Sequence, residues 1–294
     1  MKRSEIYQKV TDSIIAQLES VNVNDYNKPW FAQGSQAPVN LRGTPYRGIN
    51  SLLLSMSGYD SNVWGTFKQW KEKKCTIIKG QKATMVVLWK FFKGKKDKNE
   101  PDSDDNQFQS CMVRYFNVFN STQVDGDYAR SVEEKQVVEL EDHKPIEIAE
   151  NYVNDYLKRE SVKRTTTPQA YYSPASDSIS MPALESFVSP FHYYSVFAHE
   201  IAHSTGAKTR LDRDLSGKFG GKGYAFEELI AELSSAMVCT TLGLQAKPRV
   251  DHAQYIKSWL KALNDDNSFI ISAASQAQKA SDFALNEVKE KVEA

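Results

Sequence analysis

The chain has 294 residues, enough for two domains with a sizeable core in each. Its 37 basic and 37 acidic side chains cancel, so the overall charge does not point to nucleic acid, and any basic surface must be local. The cysteines Cys75, Cys111 and Cys239 show neither close pairing nor metal-binding spacing, which favours a reducing cytoplasm. The N-terminus has no apolar signal-peptide core, and the apolar stretch 84–92 is too short to span a bilayer. We therefore expect a cytoplasmic protein with no membrane partner.

Residues 1–125 are predicted to form a domain of mixed helices and strands. Apolar spacing predicts helices at 4–20, 50–56 and 61–73 and strands at 76–78, 84–92 and 109–119. Between the last two strands, residues 93–106 form a polar run with a basic block and then an acidic block. Such a run predicts a mobile hairpin loop or a disordered excursion.

Lysines and aromatic residues are interleaved in one stretch of this domain. Between Trp64 and Lys98 there are eleven Lys against two acidic residues, Glu72 and Asp97. Lysine supplies phosphate contacts and exposed rings supply stacking platforms for unpaired bases, so this composition is typical of single-strand binding. The alternation over 85–90 also fits a strand, in which several rings belong to the core and the lysines form a solvated face. Composition alone leaves both interpretations open.

The second half of the chain is predicted to be a separate, mainly helical domain with a small sheet. The charged, non-periodic stretch 126–145 is interpreted as a linker, and the domain covers 146–294. Its predicted elements are a helix at 146–156, strands at 169–172 and 178–181, and helices at 225–242, 252–263 and 268–292.

The most informative segment of the chain runs from His199 through Glu200 to His203. On a helix, residues i and i+4 share one face, so the two imidazoles can bind one metal ion. Glu200 can then act as a general base on the water of that metal. Ser189, followed by a proline, predicts the start of the helix and Gly206 its end. The alternative is an amphipathic helix with two ordinary histidines.

A third metal ligand is expected on the following helix, in the stretch 224–239. Glu228 and Glu232 share a face at i and i+4, so one can bind the metal while the other holds a ligand histidine. Glu228 resembles the third ligand of the gluzincin peptidases, which leaves Glu232 as the outer partner, although the spacing also permits the reverse. The metal is expected to be Zn²⁺, with another divalent transition ion as the alternative. Glu227 is interpreted as a solvated helix carboxylate.

Thirteen short segments, in order along nearly the whole chain, are similar to the ArdC-like antirestriction proteins. Those of the first half lie at 28–30, 38–40, 46–50, 64–70, 79–82 and 115–120, and those of the second at 193–194, 199–203, 204–206, 210–213, 224–232, 255–260 and 274–280. The run 93–106 departs from the resemblance as an insertion.

This resemblance implies an α+β protein in which a mixed α/β domain that binds single-stranded DNA is joined to a mainly helical, zincin-like metallopeptidase domain with a small sheet. It also implies carriage on a plasmid or other mobile element and protection of incoming DNA from host restriction. Candidate DNA contacts are Arg42, Tyr46, Arg47, Lys68, Trp70, Lys71, Lys73 and Lys79, with Tyr46 and Trp70 as stacking residues.

Different functions remain open for the metal site. As a peptidase, the protein would use Glu200 as its base and Tyr194 or Tyr224 to stabilise the oxyanion, and a host restriction or regulatory protein would be the substrate. As a DNA-coating protein, it would need no proteolysis and its metal site could be idle. A general intracellular gluzincin-type peptidase that cuts a regulatory protein would need no basic aromatic domain.

Overall fold

The computed structural model describes residues 2–19, 37–59, 61–93, 108–131, 146–217, 221–244 and 253–286. The segment 28–30, nearly all of the predicted loop 93–106 and most of the predicted linker lie outside these residues. Among the described residues, no helix combines the length and the apolar character needed to cross a membrane.

The first half contains the predicted mixture of helices and strands. Its helices are α1 (Arg3–Glu19), α2 (Ile49–Ser55), α3 (Phe67–Glu72) and α4 (Asp127–Arg130). Its strands are β1 (Val39–Asn40), β2 (Val63–Thr66), β3 (Thr76–Ile77), β4 (Thr84–Lys93), β5 (Phe108–Asn120) and β6 (Val124–Asp125). Four of them form a sheet in the order β1-β2-β5-β4, in which only the β1–β2 pair is parallel.

The predicted helix at 61–73 is wrong in its first half. Residues of β2 pair with β5, with Thr66 opposite Val118, and the helix begins only at Phe67. The reason is a capping box: the Thr66 side chain accepts from the backbone N–H of Gln69, and the Gln69 side chain accepts from the N–H of Thr66. This reciprocal pair fixes the point at which extended chain turns into helix.

Both faces of β4 are buried in its middle. Val86 packs with Leu54 and Trp64 on one face, and Val87 joins the large helical core on the other. The outer edge of β4 is closed by Asn50, whose side chain both donates to and accepts from the backbone of Val87, at 2.7 Å each. These two hydrogen bonds pair the backbone N–H and carbonyl of Val87, which lie on the edge strand of the sheet.

The second half is mainly helical with a small sheet, as predicted. Its elements are α5 (Glu147–Glu160), β7 (Lys163–Thr166), β8 (Tyr171–Ser173), β9 (Ser178–Met181), α6 (Pro190–Ser204), α7 (Lys222–Thr241), α8 (Ala253–Asp265) and α9 (Phe269–Ala284). The sheet order is β7-β9-β8, with β7 parallel and β8 antiparallel to β9. Because the side chains of β7 are exposed, the strand has no alternating apolar pattern, and it escaped prediction from the sequence.

The largest hydrophobic core draws on both halves of the chain. Ile6, Val10, Ile14 and Leu18 of α1 lie in one cluster with side chains of α2, α7, α8 and α9. Each such fully buried side chain stabilises the fold by about 1.5–3 kcal/mol. The two halves therefore share stability, and the predicted boundary at 126–145 separates segments of sequence rather than independent cores.

Candidate metal centre

Helices α6 and α7 supply every side chain of the predicted metal site. Helix α6 starts where the sequence predicts, with the Ser189 hydroxyl accepting from the backbone N–H of His192 at 3.2 Å and proline in the first turn. Nearly all of α6 is buried, and His199 and Glu200 are only 3% and 5% exposed. A polar side chain as deeply buried as that of His199 needs partners, and two carboxylates of α7 provide them.

The two histidines face each other and share one carboxylate. The Nε2 atoms of His199 and His203 are 3.1 Å apart. Glu228 lies beside both: its Oε2 is 3.6 Å from Nε2 of His199, and its Oε1 is 3.6 Å from Nε2 of His203. The ligand atoms of the three residues all lie within 4.8 Å of one another. Of the two candidate glutamates, Glu228 is therefore the one that the fold brings to the point between the rings.

The other ring nitrogen of each histidine meets a second carboxylate of α7. Nδ1 of His199 lies 2.9 Å from Oε1 of Glu232, out of line with the ring N–H, and Nδ1 of His203 lies 3.2 Å from Oε1 of Glu227. Carboxylates at Nδ1 favour the tautomer that turns the Nε2 lone pair inward. Glu232 thus occupies the outer position that the sequence assigns to it.

Glu227 belongs to the cluster, although the sequence analysis placed it on a solvated face, and the structure corrects that interpretation. Its side chain is buried, and Arg213 donates to both of its oxygens at 2.9 and 2.7 Å. Burial would raise the pKa of Glu227, but Arg213 and His203 outweigh it and hold the pKa below its ordinary value. An ionised Glu227 can therefore orient His203.

Arg213 also ties the end of α6 to the loop that follows it. Its guanidinium donates to the carbonyl of Ala202 at 2.7 Å and to the hydroxyl of Thr205 at 2.8 Å. A side chain on Gly206 would come within about 3 Å of the ends of the Arg213 and Leu215 side chains, so glycine leaves room for Arg213 to approach the end of α6. In the sequence, Arg213 stands out only as part of the segment 210–213, which resembles the ArdC-like proteins. Spacing along the chain cannot show that its partner is Glu227.

The electrostatics of the cluster favour a cation between the rings. Burial disfavours a charged His203, but its hydrogen bond with Glu227 and the charges of Glu200 and Glu228 outweigh burial and raise its pKa. Two Nε2 lone pairs and a carboxylate that converge without a positive charge would repel one another. Two imidazoles and one carboxylate are also a donor set suited to zinc and related divalent ions.

The three ligands and Glu200 line an open cleft of about 400 Å³. Tyr224 lies in its wall, together with Tyr171 and Tyr172 of β8. Tyr194 is not among the lining residues: it is buried, and its hydroxyl donates to Glu150 at 2.8 Å. Of the two tyrosines expected to stabilise an oxyanion, only Tyr224 is placed beside the cluster.

Some of the candidate DNA contacts are exposed, whereas others are buried or contact other residues of the protein. Trp70 is fully buried, and its Nε1 donates to the carbonyl of Phe119 at 3.0 Å, so the prediction that it stacks on a base is wrong. Arg47 forms an ion pair with Asp282 of α9. Tyr46 is half-buried against the small core around Trp64. The remaining candidates, all exposed, are Arg42, Lys68, Lys71, Lys73 and Lys79.

The fold and the cluster define a class of protein with a zincin-like half. A family model described as a zincin-like metallopeptidase matches residues 151–276, and one described as the N-terminal domain of anti-restriction factor ArdC matches residues 4–119. The crystal structure of the antirestriction ArdC protein from plasmid R388 in its Mn(II)-bound form aligns with a TM-score of 0.72 at 35% identity, over 95% of this chain and 97% of that one. The chain belongs to the ArdC antirestriction family.

Two further proteins are similar to this chain over most of its length. The uncharacterized protein y4eC of Sinorhizobium fredii (strain NBRC 101917 / NGR234) is 39% identical over 295 residues, which is 95% of this chain and 91% of the relative. A DNA primase TraC of Escherichia coli is 33% identical over 298 residues, but this chain spans only 27% of that primase. The metal-free form of the R388 protein aligns with a TM-score of 0.71. Together with the cluster, these findings indicate a site for a divalent metal ion.

Proposed function

We propose that this protein is an antirestriction factor of a mobile element that binds single-stranded DNA and protects it from host restriction. We further propose that it holds Zn²⁺ at His199, His203 and Glu228. The observation that carries the proposal is the convergence of these three ligands beside Glu200, in a chain of the ArdC family. The cytoplasm, where incoming DNA meets restriction enzymes, is the proposed location.

The residues of the cluster suit metal-assisted hydrolysis. A zinc ion held by these residues would be a Lewis acid that polarises a carbonyl group and lowers the pKa of water to near neutral. Glu200 lines the same cleft, and its carboxylate would accept the proton of the attacking water. Tyr224 in the cleft wall would donate to a developing oxyanion. A structural zinc needs no such base, so the presence of Glu200 supports peptidase chemistry as a second activity, with a host protein as the proposed substrate.

Binding of single-stranded DNA is proposed for the first half of the chain. Lys68, Lys71 and Lys79 are exposed there and can neutralise phosphates, which releases counterions from the strand. In this proposal, coating of the strand would itself protect the DNA, because it would delay synthesis of the complementary strand or exclude the restriction enzyme. Proteolysis would add to this protection without being required for it.

An assay in cells separates the two activities. Unmodified plasmid DNA is transferred into a restricting host that carries the wild type, Glu200→Ala, or the triple variant Lys68→Glu, Lys71→Glu and Lys79→Glu. Survival of the transferred DNA is measured against the same DNA in modified form. We expect the triple variant to lose protection and Glu200→Ala to keep it.

The opposite results are equally informative. Full protection by the triple variant would contradict DNA coating. Complete loss in a folded, metal-loaded Glu200→Ala protein would make peptidase chemistry central, because this carboxylate is not among the three converging ligands.

A further inference from the structure

The segment 63–72, which forms β2 and α3, contains two tryptophans, and both are structural. Trp64 is 1% exposed and Trp70 is fully buried. Gly65 lies between them, where an added side chain would come within 3.0 Å of the Trp70 ring and 2.9 Å of Leu41. These residues pack the sheet against α3 and leave no ring of either tryptophan for a ligand.

The same segment presents one aromatic ring to solvent. Because Thr66 and Gln69 form the capping box, neither is available for other contacts. Phe67, the first residue of α3, is 59% exposed, which makes it the most exposed aromatic side chain among the described residues. Lys68 and Lys71 on the same helix are exposed as well. A large apolar ring held on a capped, rigid turn among lysines has no evident role in folding.

A second exposed group of aromatics lies on β5. The strand pairs with β2 only over its last three residues, from Val118 onward, so its earlier part has no strand on that side among the described residues. All four residues of 114–117 are exposed, although a strand in a sheet usually buries every second side chain. Within them, Tyr115 is 40% and Phe116 42% exposed.

The two groups are neighbours in the fold. Thr66 pairs with Val118, Phe67 is the next residue along the chain, and Phe116 lies two residues along β5 from Val118. Strand geometry then places the Cα atoms of Phe67 and Phe116 within roughly 10 Å of each other. Rings from α3 and β5 can therefore serve one ligand.

The part of the chain that carries these rings is rich in exposed positive charge. Among the residues from 61 to 117 whose side chains are described, one carboxylate, that of Glu72, is exposed. The exposed cations in the same part of the chain are Lys68, Lys71, Lys73, Lys74, Lys79, Lys82, Lys90 and Arg114. This excess of positive charge favours a polyanion, and several separate exposed rings favour one whose bases are unpaired.

We propose that Phe67 and Phe116 form the base-stacking platform for single-stranded DNA, with Lys68, Lys71 and Arg114 contacting its phosphates. This stacking platform rests on the proposed function and gives it a location. It replaces Trp70, which is buried, with Phe67, which the sequence analysis did not select. The platform belongs to the first half of the chain and uses no residue of the metal cluster.

The test measures binding of a fluorescent oligothymidylate of about 20 nucleotides to the full chain by fluorescence anisotropy at one fixed salt concentration. Phe67→Ala and Phe116→Ala should each lower the affinity about tenfold, and the double variant about 100-fold, as expected for the loss of one stacked base each. Phe67→Leu, which has no aromatic ring, should bind as weakly as Phe67→Ala. Phe67→Trp, which keeps an aromatic ring, should bind about as tightly as the wild type. Ile148→Ala removes a side chain that is 51% exposed in the other half and serves as the control.

Salt dependence separates rings from charges. The phenylalanine variants should keep the wild-type slope of log affinity against log salt, whereas Lys71→Gln should lower that slope by about 0.7. If the wild type binds and both phenylalanine variants match Ile148→Ala, the platform is wrong and the DNA lies elsewhere. If the wild type does not bind, the proposed function fails and the platform with it. If the phenylalanine variants lost as much affinity for duplex DNA as for single strands, stacking would also be overturned, because the bases of a duplex are not accessible.

Discussion

The metal cluster and the stacking platform are opposite kinds of site. In the cluster, His199 and His203 are held from both ring nitrogens by carboxylates of one neighbouring helix, and little of either ring reaches solvent. In the platform, both residues are exposed: Phe67 lies on a short helix, and Phe116 lies on an edge of β5 that pairs with no strand among the described residues. A site for a small ion needs fixed geometry, whereas a site for a flexible strand needs accessible surface.

The largest expected effect contrasts two aromatic residues three positions apart. Trp70→Ala removes a fully buried ring and the hydrogen bond of its Nε1 to Phe119, so it should lower the free energy of unfolding by about 3–5 kcal/mol. Phe67→Ala should change it by no more than about 0.5 kcal/mol. Urea unfolding of the full chain measures both. Similar losses for the two variants would contradict the assignment of Trp70 to the core and Phe67 to the surface.

The next contrast compares a buried and an exposed cation. Arg213→Met leaves Glu227 buried without its main partner, which should cost about 3 kcal/mol, at the lower end of the range for a broken buried pair because the carboxylate is not fully enclosed. Lys68→Met should be nearly neutral, because its ion pair with Glu72 is 3.9 Å long and exposed. If both variants unfolded at the same urea concentration, the structural role assigned to Arg213 would be contradicted.

These contrasts show what the sequence could reveal. Helical spacing places His199 and His203 on one face of α6, and Glu228 and Glu232 on one face of α7. The candidate ligands were therefore predictable, although spacing alone does not decide which of the two glutamates binds the metal. The role of Glu227 was not, since it depends on Arg213, which reaches the cluster from a loop fourteen residues away along the chain.

Surface sites are harder to predict for a related reason. The interleaving of lysines and rings indicated nucleic acid, but local sequence does not say which ring faces outward. Trp70 is buried because Phe119 of β5 and Val124 of β6 lie in the same apolar cluster, and Phe67 is exposed because β2 ends one residue before it. Both outcomes depend on the pairing of segments far apart in the chain.

A smaller effect tests whether Glu227 acts on the metal through His203. Glu227→Gln keeps the shape of the side chain but removes the charge that orients the ring, so the affinity for Zn²⁺ should fall about 10- to 100-fold. Competition with a chromogenic chelator measures this affinity. Glu147→Gln, on the exposed first turn of α5, is the matched control. An unchanged affinity in Glu227→Gln would assign Glu227 to stability alone.

The central claim is that His199, His203 and Glu228 hold one divalent ion between two helices. Metal analysis of purified protein by mass spectrometry tests it directly. The wild type should contain about one zinc or related ion per chain, His199→Ala should contain almost none, and Glu228→Ala should lose more metal than Glu232→Ala. Undiminished metal in a folded His199→Ala protein would contradict the site, and a greater loss in Glu232→Ala would exchange the roles of the two glutamates.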